Sequence, residues 1–274
     1  MPAGALALAL GAAVVHAAWN MLIARADDTE TATAVALAVS VLLFAVPAFV
    51  WWEIEADAWP YIAGSAAFEL GYVATLAGGL SRGDLSVVYP LARGSAPVFV
   101  LVVSAGVLGA ATSAWQVTGI VLVAAGVMLV RGLRRPEEPV AVVLAIACGA
   151  CIAGYTVVDS HGLDHAAALP YLWVVLAATV AVYLPLMARV RGVAALRSAV
   201  RLEMAVTALL LFGAYLLVLA ALRLADPAPV AAVRETSVVI ATALGALVLR
   251  EPVTRARAAG AVVVATGIAL IALS

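Results

Sequence analysis

Lysine is absent from this chain; all 15 of its basic side chains are arginine. Charge of either sign is scarce, at 11% of residues against 66% hydrophobic, and the mean hydropathy is +1.15. A soluble domain of 274 residues could not cover so much apolar surface with so little charge. The formal net charge of −1 supplies no basic face, which removes a nucleic-acid partner. Cysteine is down to Cys148 and Cys151, both inside an apolar run with no histidine or acidic cluster to complete a redox or metal pair. They read as small packing residues. His-Glu-x-x-His, Gly-x-Ser-x-Gly and clustered catalytic acids are also missing, so neither hydrolase chemistry nor a cofactor is indicated. His161 and His165, close to Asp159 and Asp164, read as a solvated loop in preference to a weak metal site.

What is present is long hydrophobic runs. A helix needs about 20 apolar residues to cross a bilayer. Ten stretches qualify: 3–23, 32–52, 59–80, 86–108, 113–130, 139–158, 167–188, 203–222, 228–249 and 255–273. The first lacks a basic flank and runs on through Trp19 and Asn20, so it reads as a retained helix and not a cleaved leader. The connections are short and polar, leaving no room for a folded domain outside the membrane. An all-α membrane protein is expected. The richness in Ala, Val and Arg suggests a GC-rich bacterial genome and hence a bacterial cytoplasmic membrane.

Arginine gives the orientation. The odd-numbered connections carry Arg25, Arg82, Arg131, Arg134, Arg135, Arg189, Arg191, Arg197, Arg201, Arg250, Arg255 and Arg257. The even-numbered ones carry only Arg223. The arginine-rich side is expected to be cytoplasmic, with both termini outside.

Two arginines break the pattern. Arg93 and Arg234 fall within long apolar runs, in stretches Ser86–Val130 and Pro227–Ile271 that align without a gap. The alignment pairs Arg93 with Arg234, Leu108 with Leu249, Gly119 with Gly260 and Gly126 with Gly267. A weaker match sets Ala17-Ala18-Trp19-Asn20 against Ala153-Gly154-Tyr155-Thr156. The chain is therefore expected to hold two five-helix repeats, residues 1–132 and 139–274, separated at the charged Arg131–Pro139 linker. Five spans per repeat is an odd number, so the second repeat enters the membrane inverted, with a site at the interface near the midplane. Symmetry is incomplete: Gly94 has Glu235 as its counterpart, and Pro97 has Val238.

A cation at bilayer depth costs roughly 2.5–3.5 kcal/mol on insertion scales, so its retention implies an ion pair, a polar cavity or an anionic ligand. Arg93 and Arg234 read as a fork for a substrate carboxylate, as partners of Glu69 and Glu235 in a structural ion network, or as side chains snorkelling toward the nearby interface. Glu69 leads the candidates for proton handling, with Tyr72 on its helical face; Glu235, beside Arg234, is second. His16, Trp19 and Asn20 share one face and could line a cavity, His16 also serving as a proton relay. Tyr89 lies one turn before Arg93. Pro97 cannot donate to the carbonyl of Arg93, which makes Pro97 with Gly94 a candidate hinge. The glycines at seven-residue spacing suit close helix packing within the protomer, a homodimer contact being the alternative.

Several motifs are similar to a known family. His16-Ala-Ala-Trp19-Asn20 resembles the opening motif of EamA-type members of the drug/metabolite transporter superfamily. Tyr89-Pro90-Leu-Ala-Arg93-Gly94 with Pro97, and Val233-Arg234-Glu235-Thr236-Ser237, resemble the starts of the fourth and ninth helices there. Leu249-Arg250-Glu251-Pro252 resembles the end of the ninth. The resemblance covers the whole chain and implies secondary active transport: export or exchange of amino acids, metabolites or amphipathic compounds, often coupled to protons. The expected function is therefore a carrier for an amino acid or organic anion, working by alternating access on a small-molecule substrate in the lipid bilayer. An intramembrane lipid-modifying enzyme, a passive channel and a recruiting membrane subunit are the alternatives.

Overall fold

The computed structural model describes residues 1–83, 85–131, 138–248 and 254–274. Two sequence features, the Leu249-Arg250-Glu251-Pro252 motif and the charged repeat boundary, lie outside the described residues.

The apolar runs become helices because lipid offers the backbone no hydrogen-bond partner and a helix satisfies its own. In order they are α1 (Ala3–Ile23), α2 (Thr29–Val50), α3 (Trp59–Leu80), α4 (Leu85–Gly106), α5 (Ala114–Arg131), α6 (Pro139–Gly162), α7 (Ala168–Arg191), α8 (Val193–Ala199), α9 (Leu202–Leu222), α10 (Pro227–Arg234), α11 (Thr236–Val248) and α12 (Arg255–Leu273). Among the described residues, six of them, α1, α2, α6, α7, α9 and α12, are long and apolar enough to cross a membrane. Large apolar side chains such as Leu42, Val46, Val143 and Leu202 stand exposed around the outside of the bundle. That outer surface suits lipid. Trp51, Trp52, Trp59 and Trp115 are exposed at or near helix ends on one side of the bundle, where amphipathic rings suit the headgroup level. The amino terminus is on the same side, its ammonium donating to the Ile271 carbonyl at 3.4 Å.

The helix ends follow local chemistry. Asp28 caps α2, accepting from the Thr31 amide at 3.1 Å and its hydroxyl at 2.6 Å. These bonds, with Arg191 at 3.6 Å, hold the Asp28 carboxyl below its usual range. Arg191 also donates to Glu30 at 2.6 Å, tying the end of α7 to the start of α2. Thr254 caps α12 in the same manner.

Three boundaries differ from those expected. The 189–201 connection contains α8. The sixth helix runs a turn past residue 158, which brings Asp159 inside the bundle. The run 228–249 is broken at Glu235, where the Glu235 amide bonds back only three residues to Ala232. The expected hinge in the other repeat is not broken: α4 is continuous through Pro97, and Gly94 sits against the Ala124 carbonyl of α5.

The packing is pairwise. α5 lies on α12, α3 on α6, α1 on α9, α2 on α7 and α4 on α6. The α5–α12 contact depends on glycine: a Cβ on Gly119 would stand 2.6 Å from the Gly267 carbonyl, and one on Gly126 would stand 2.8 Å from the Gly260 carbonyl. The glycine stripes are thus used against each other within one chain. The pairing of 119 with 267 and 126 with 260 makes the two helices antiparallel.

Candidate substrate cavity and buried charge network

A cavity of about 570 Å³ opens at the arginine-rich end of the bundle. α1 gives it His16, Trp19 and Asn20, the face expected from their spacing. Tyr72 comes from α3, Tyr89 from α4, Tyr183 from α7 and Ser237 from α11; Glu30 and Arg257 stand at the mouth. Between these polar tips the wall is apolar, with Val73, Leu76, Leu80 and Val130. An apolar wall with a few placed hydrogen-bonding groups is the usual form of a small-molecule site. Trp19 meets the His16 ring edge-on at 5.0 Å, and Asn20 donates to the His16 carbonyl at 2.8 Å. The Trp19 indole N–H is buried and has no hydrogen-bond partner in the protein.

Directly behind His16 lies Arg93, 4% exposed. Its Nη2 is 2.6 Å from His16 Nε2. A guanidinium can only donate, so Nε2 must accept, and the imidazole is the neutral tautomer with its proton on Nδ1. On its other side Arg93 Nε is 3.5 Å from Glu235 Oε2, and Glu235 is 1% exposed. The Tyr89 ring flanks the guanidinium at 5.9 Å. This pairing explains the asymmetry between the repeats. The position that is Gly94 in the first is Glu235 in the second, and it supplies the anion that Arg93 needs. Glu235 also sits at the junction of α10 and α11, so the ion pair pins the helix break.

Arg234 is buried beside it, 7% exposed, and donates to the Tyr155 hydroxyl at 3.2 Å over a ring 6.0 Å away. Its Nε has no hydrogen-bond partner. Tyr155 stands edge-on to Tyr72 at 6.4 Å and packs on Tyr215 at 5.9 Å. Beyond these rings is Asp159, 1% exposed, whose two oxygens accept from the Tyr171 hydroxyl at 2.9 Å and the Tyr215 hydroxyl at 2.7 Å. Gly162 allows this, since a Cβ there would stand 2.5 Å from the Tyr171 ring. Glu69 of α3 has one buried carboxylate oxygen with no partner.

A model of the EamA-like transporter family matches residues 3–132 and again residues 139–273. The chain belongs to the EamA-like transporter family. It is a transmembrane transporter of the drug/metabolite transporter superfamily. No curated protein matches it. A solved structure titled only "Crystal structure of protein" matches 100% of this chain over 99% of its own, at 15% identity and a TM-score of 0.81. At that identity the likeness establishes the fold alone.

In this EamA-like transporter the candidate residues thus separate into two layers. His16, Trp19, Asn20, Tyr72 and Tyr89 come together on the cavity wall. Arg93, Arg234 and Glu235 form a buried layer behind it, joined to the wall through His16. Glu69 belongs to neither layer; it is half-buried on α3, the helix that packs on α6. Asp159, Tyr171 and Tyr215 are missing from the sequence-based set because Asp159 falls where the hydrophobic run fades into a polar connection. Its spacing of four from Tyr155 placed both on one helical face, a signal that was present but short.

Proposed function

We propose that this chain is a secondary active transporter that carries a small amino acid or organic anion across the bacterial cytoplasmic membrane by alternating access. In this reading ten membrane-crossing segments form two inverted five-helix repeats, 1–132 and 139–274, the α10–α11 pair counting as one broken span. The glycine contacts support the inversion. The repeat alignment sends Gly119 to Gly260 and Gly267 to Gly126, so it converts the contact 119–267 into the contact 260–126. Both contacts exist, and equivalent helices that lie antiparallel are what inverted halves would produce. The other pairings exchange in the same way: α3 on α6 becomes α9 on α1.

The observation that carries the functional reading is the cavity itself. It is lined by α1 to α5 from one half and by α7, α11 and α12 from the other, and an ion pair between the halves backs it. With both termini outside, as the arginine count indicates, the cavity faces the cytoplasm and loads a substrate for export. Trp19, Asn20, Tyr72 and Tyr89 hold the apolar body and its polar groups. Arg93, one hydrogen bond behind the wall, is the cation that a substrate carboxylate would meet, and we assign it to recognition. Arg234, deeper still, we assign with Glu69, Glu235 and His16 to coupling and conformational change. A passive channel has no use for a pocket shared by two halves and pinned at a helix break.

Thermal unfolding of the detergent-purified protein against a panel of amino acids and organic anions tests this. A ligand of the folded state present at about 100 times its Kd adds about 2.7 kcal/mol of apparent stability. Compounds carrying a carboxylate and an apolar side chain are expected to raise the midpoint, and Trp19→Ala is expected to abolish the shift. A panel with no active member, or shifts that survive Trp19→Ala undiminished, would remove the cavity as the substrate site.

A further inference from the structure

Two halves that rock against each other must stay joined somewhere, and α2 and α7 are joined along their length. α2 belongs to the first half and α7 to the second. Within the bundle the Trp173 indole N–H of α7 donates to the Val41 carbonyl of α2 at 2.8 Å. A helical carbonyl keeps a second lone pair for such a bond. The Trp173 ring also packs on Phe49 of α2, at 5.1 Å. At the arginine-rich end Arg191, in the last turn of α7, donates to Glu30 at 2.6 Å and lies 3.6 Å from Asp28. An exposed ion pair alone contributes little. Here α8, which packs on α2 and buries Leu196, closes the same joint.

At the opposite end the connection between α2 and α3 runs beside that between α6 and α7. Ile54 and Ala166 face each other in an antiparallel bridge. The Glu55 N–H donates to the His165 carbonyl at 3.0 Å, and the Ala167 N–H to the Glu53 carbonyl at 2.8 Å. Side chains reinforce the bridge. Glu55 Oε2 lies 3.5 Å from His165 Nδ1, and the Tyr61 ring of α3 stacks on His161 at 6.4 Å and His165 at 5.8 Å. The histidines expected in a solvated loop thus belong to a joint between the halves. Arg223, the one arginine expected at this end, holds the α6–α7 turn by donating to the Leu163 and Ala166 carbonyls. A second cavity, of about 720 Å³, lies at this end too, with Asp164, Arg223 and Asp226 in its lining.

The joint at the arginine-rich end stands on the rim of the open substrate cavity, since Glu30 lines the mouth, yet it is closed. A gate at that place would have parted. We infer that the α2–α7 seam is the fixed axis of the transport cycle, with both end joints closed whichever end of the bundle is open. This rests on the alternating-access and inverted-repeat reading above. On that reading the relation between the halves exchanges α2 with α7, so the seam maps onto itself. It also exchanges the α1–α2 connection with the α6–α7 one, and the α2–α3 connection with that between α7 and α9. Each joint is thereby carried onto the other. The outward-open state arises when each half takes the arrangement that the other has now. The bridge of Ile54 and Ala166 then stands where Arg191 and Glu30 stand here, closed beside an open cavity.

Pulsed electron resonance on the full-length protein in liposomes, with Cys148 and Cys151 replaced by alanine, tests the axis without any substrate. Spin labels at Asp27 and Val193 span the arginine-rich joint, and labels at Glu53 and Asp164 span the other. All four side chains are exposed and take no part in the contacts that close the joints. Each pair is expected to give one narrow distance distribution, while labels at Asp164 and Asp226 in the same membranes give two. Asp164 serves in both measurements, so a moving label cannot mimic a moving joint. Two populations at either joint, alongside two between Asp164 and Asp226, would overturn the axis and leave alternating access standing. A single population everywhere would overturn alternating access, and the axis with it.

Discussion

Glu235→Ala is expected to destabilise the purified protein by about 3–5 kcal/mol, the usual cost of leaving one partner of a buried ion pair alone. Arg93 is the partner left behind. It is 4% exposed, and its remaining contacts are a neutral imidazole nitrogen at 2.6 Å and the face of Tyr89. Neither carries a negative charge that could take the place of the carboxylate. Arg93→Ala should cost a comparable amount for the mirror reason, since Glu235 is 1% exposed. The double variant Arg93→Met with Glu235→Leu removes both charges and fills the space with apolar atoms. It should recover most of the loss, because a buried ion pair gains little over hydrophobic packing of similar volume. Its transport should nevertheless remain abolished, because the pin on the α10–α11 break is gone. The comparison of unfolding midpoints for the two single variants and the double one decides the matter. Strictly additive losses would mean that Arg93 and Glu235 do not act as a pair.

The second large effect concerns the α5–α12 contact. Gly119→Ala and Gly267→Ala each place a methyl group against backbone on the facing helix, at 2.6 Å from the facing carbonyl in both cases. Backbone cannot rotate aside as a side chain can, so the helices must separate. Overpacking of this kind costs about 1–3 kcal/mol. The pattern among double variants matters more than the size. Gly119→Ala with Gly267→Ala strains one crossing twice, and once the helices have parted the second methyl adds little. Gly119→Ala with Gly126→Ala strains two separate crossings and should sum closely to its parts. Thermal unfolding of the four single glycine variants and these two doubles measures it. Equal additivity in both doubles would mean that the paired contacts, and the two-fold relation read from them, do not govern this interface.

Much of the fold could be read from hydrophobic runs. The bounds of α1, α3 and α12 match the runs 3–23, 59–80 and 255–273 to the residue, because each run is flanked by residues that cannot enter lipid or by a proline or charged turn. The glycine stripes also carried their packing role openly. What the sequence hid was tertiary. The break at Glu235 contains neither glycine nor proline; it arises because a carboxylate beside Arg234 turns to meet Arg93 on another helix. Pro97, the residue that local rules mark as a breaker, sits in a helix that runs on through it. Asp159 was hidden for a different reason. At the edge of a hydrophobic run a carboxylate reads as the start of a loop, and the hydroxyls of Tyr171 on the next helix and Tyr215 on α9 compensate its burial.

The cavity wall was legible in part. His16, Trp19 and Asn20 declared a shared face by spacing, and Tyr72 and Tyr89 joined them there. The arginines were the clearest candidates for substrate contact, yet the structure sets them one layer back. Composition shows that a buried charge must be compensated but not by what. Here a histidine, a glutamate and a tyrosine answer before any ligand does.

Alternating access makes one demand that a channel or a static subunit does not. The two ends of the bundle must open in turn. Spin labels at Glu30 and Arg257 report the mouth of the substrate cavity, and labels at Asp164 and Asp226 report the opposite cavity. Distance distributions measured by pulsed electron resonance in liposomes should show two populations at each end, and conditions that widen one pair should narrow the other. A single unchanging distance at the mouth, or both ends widening together, would contradict the account.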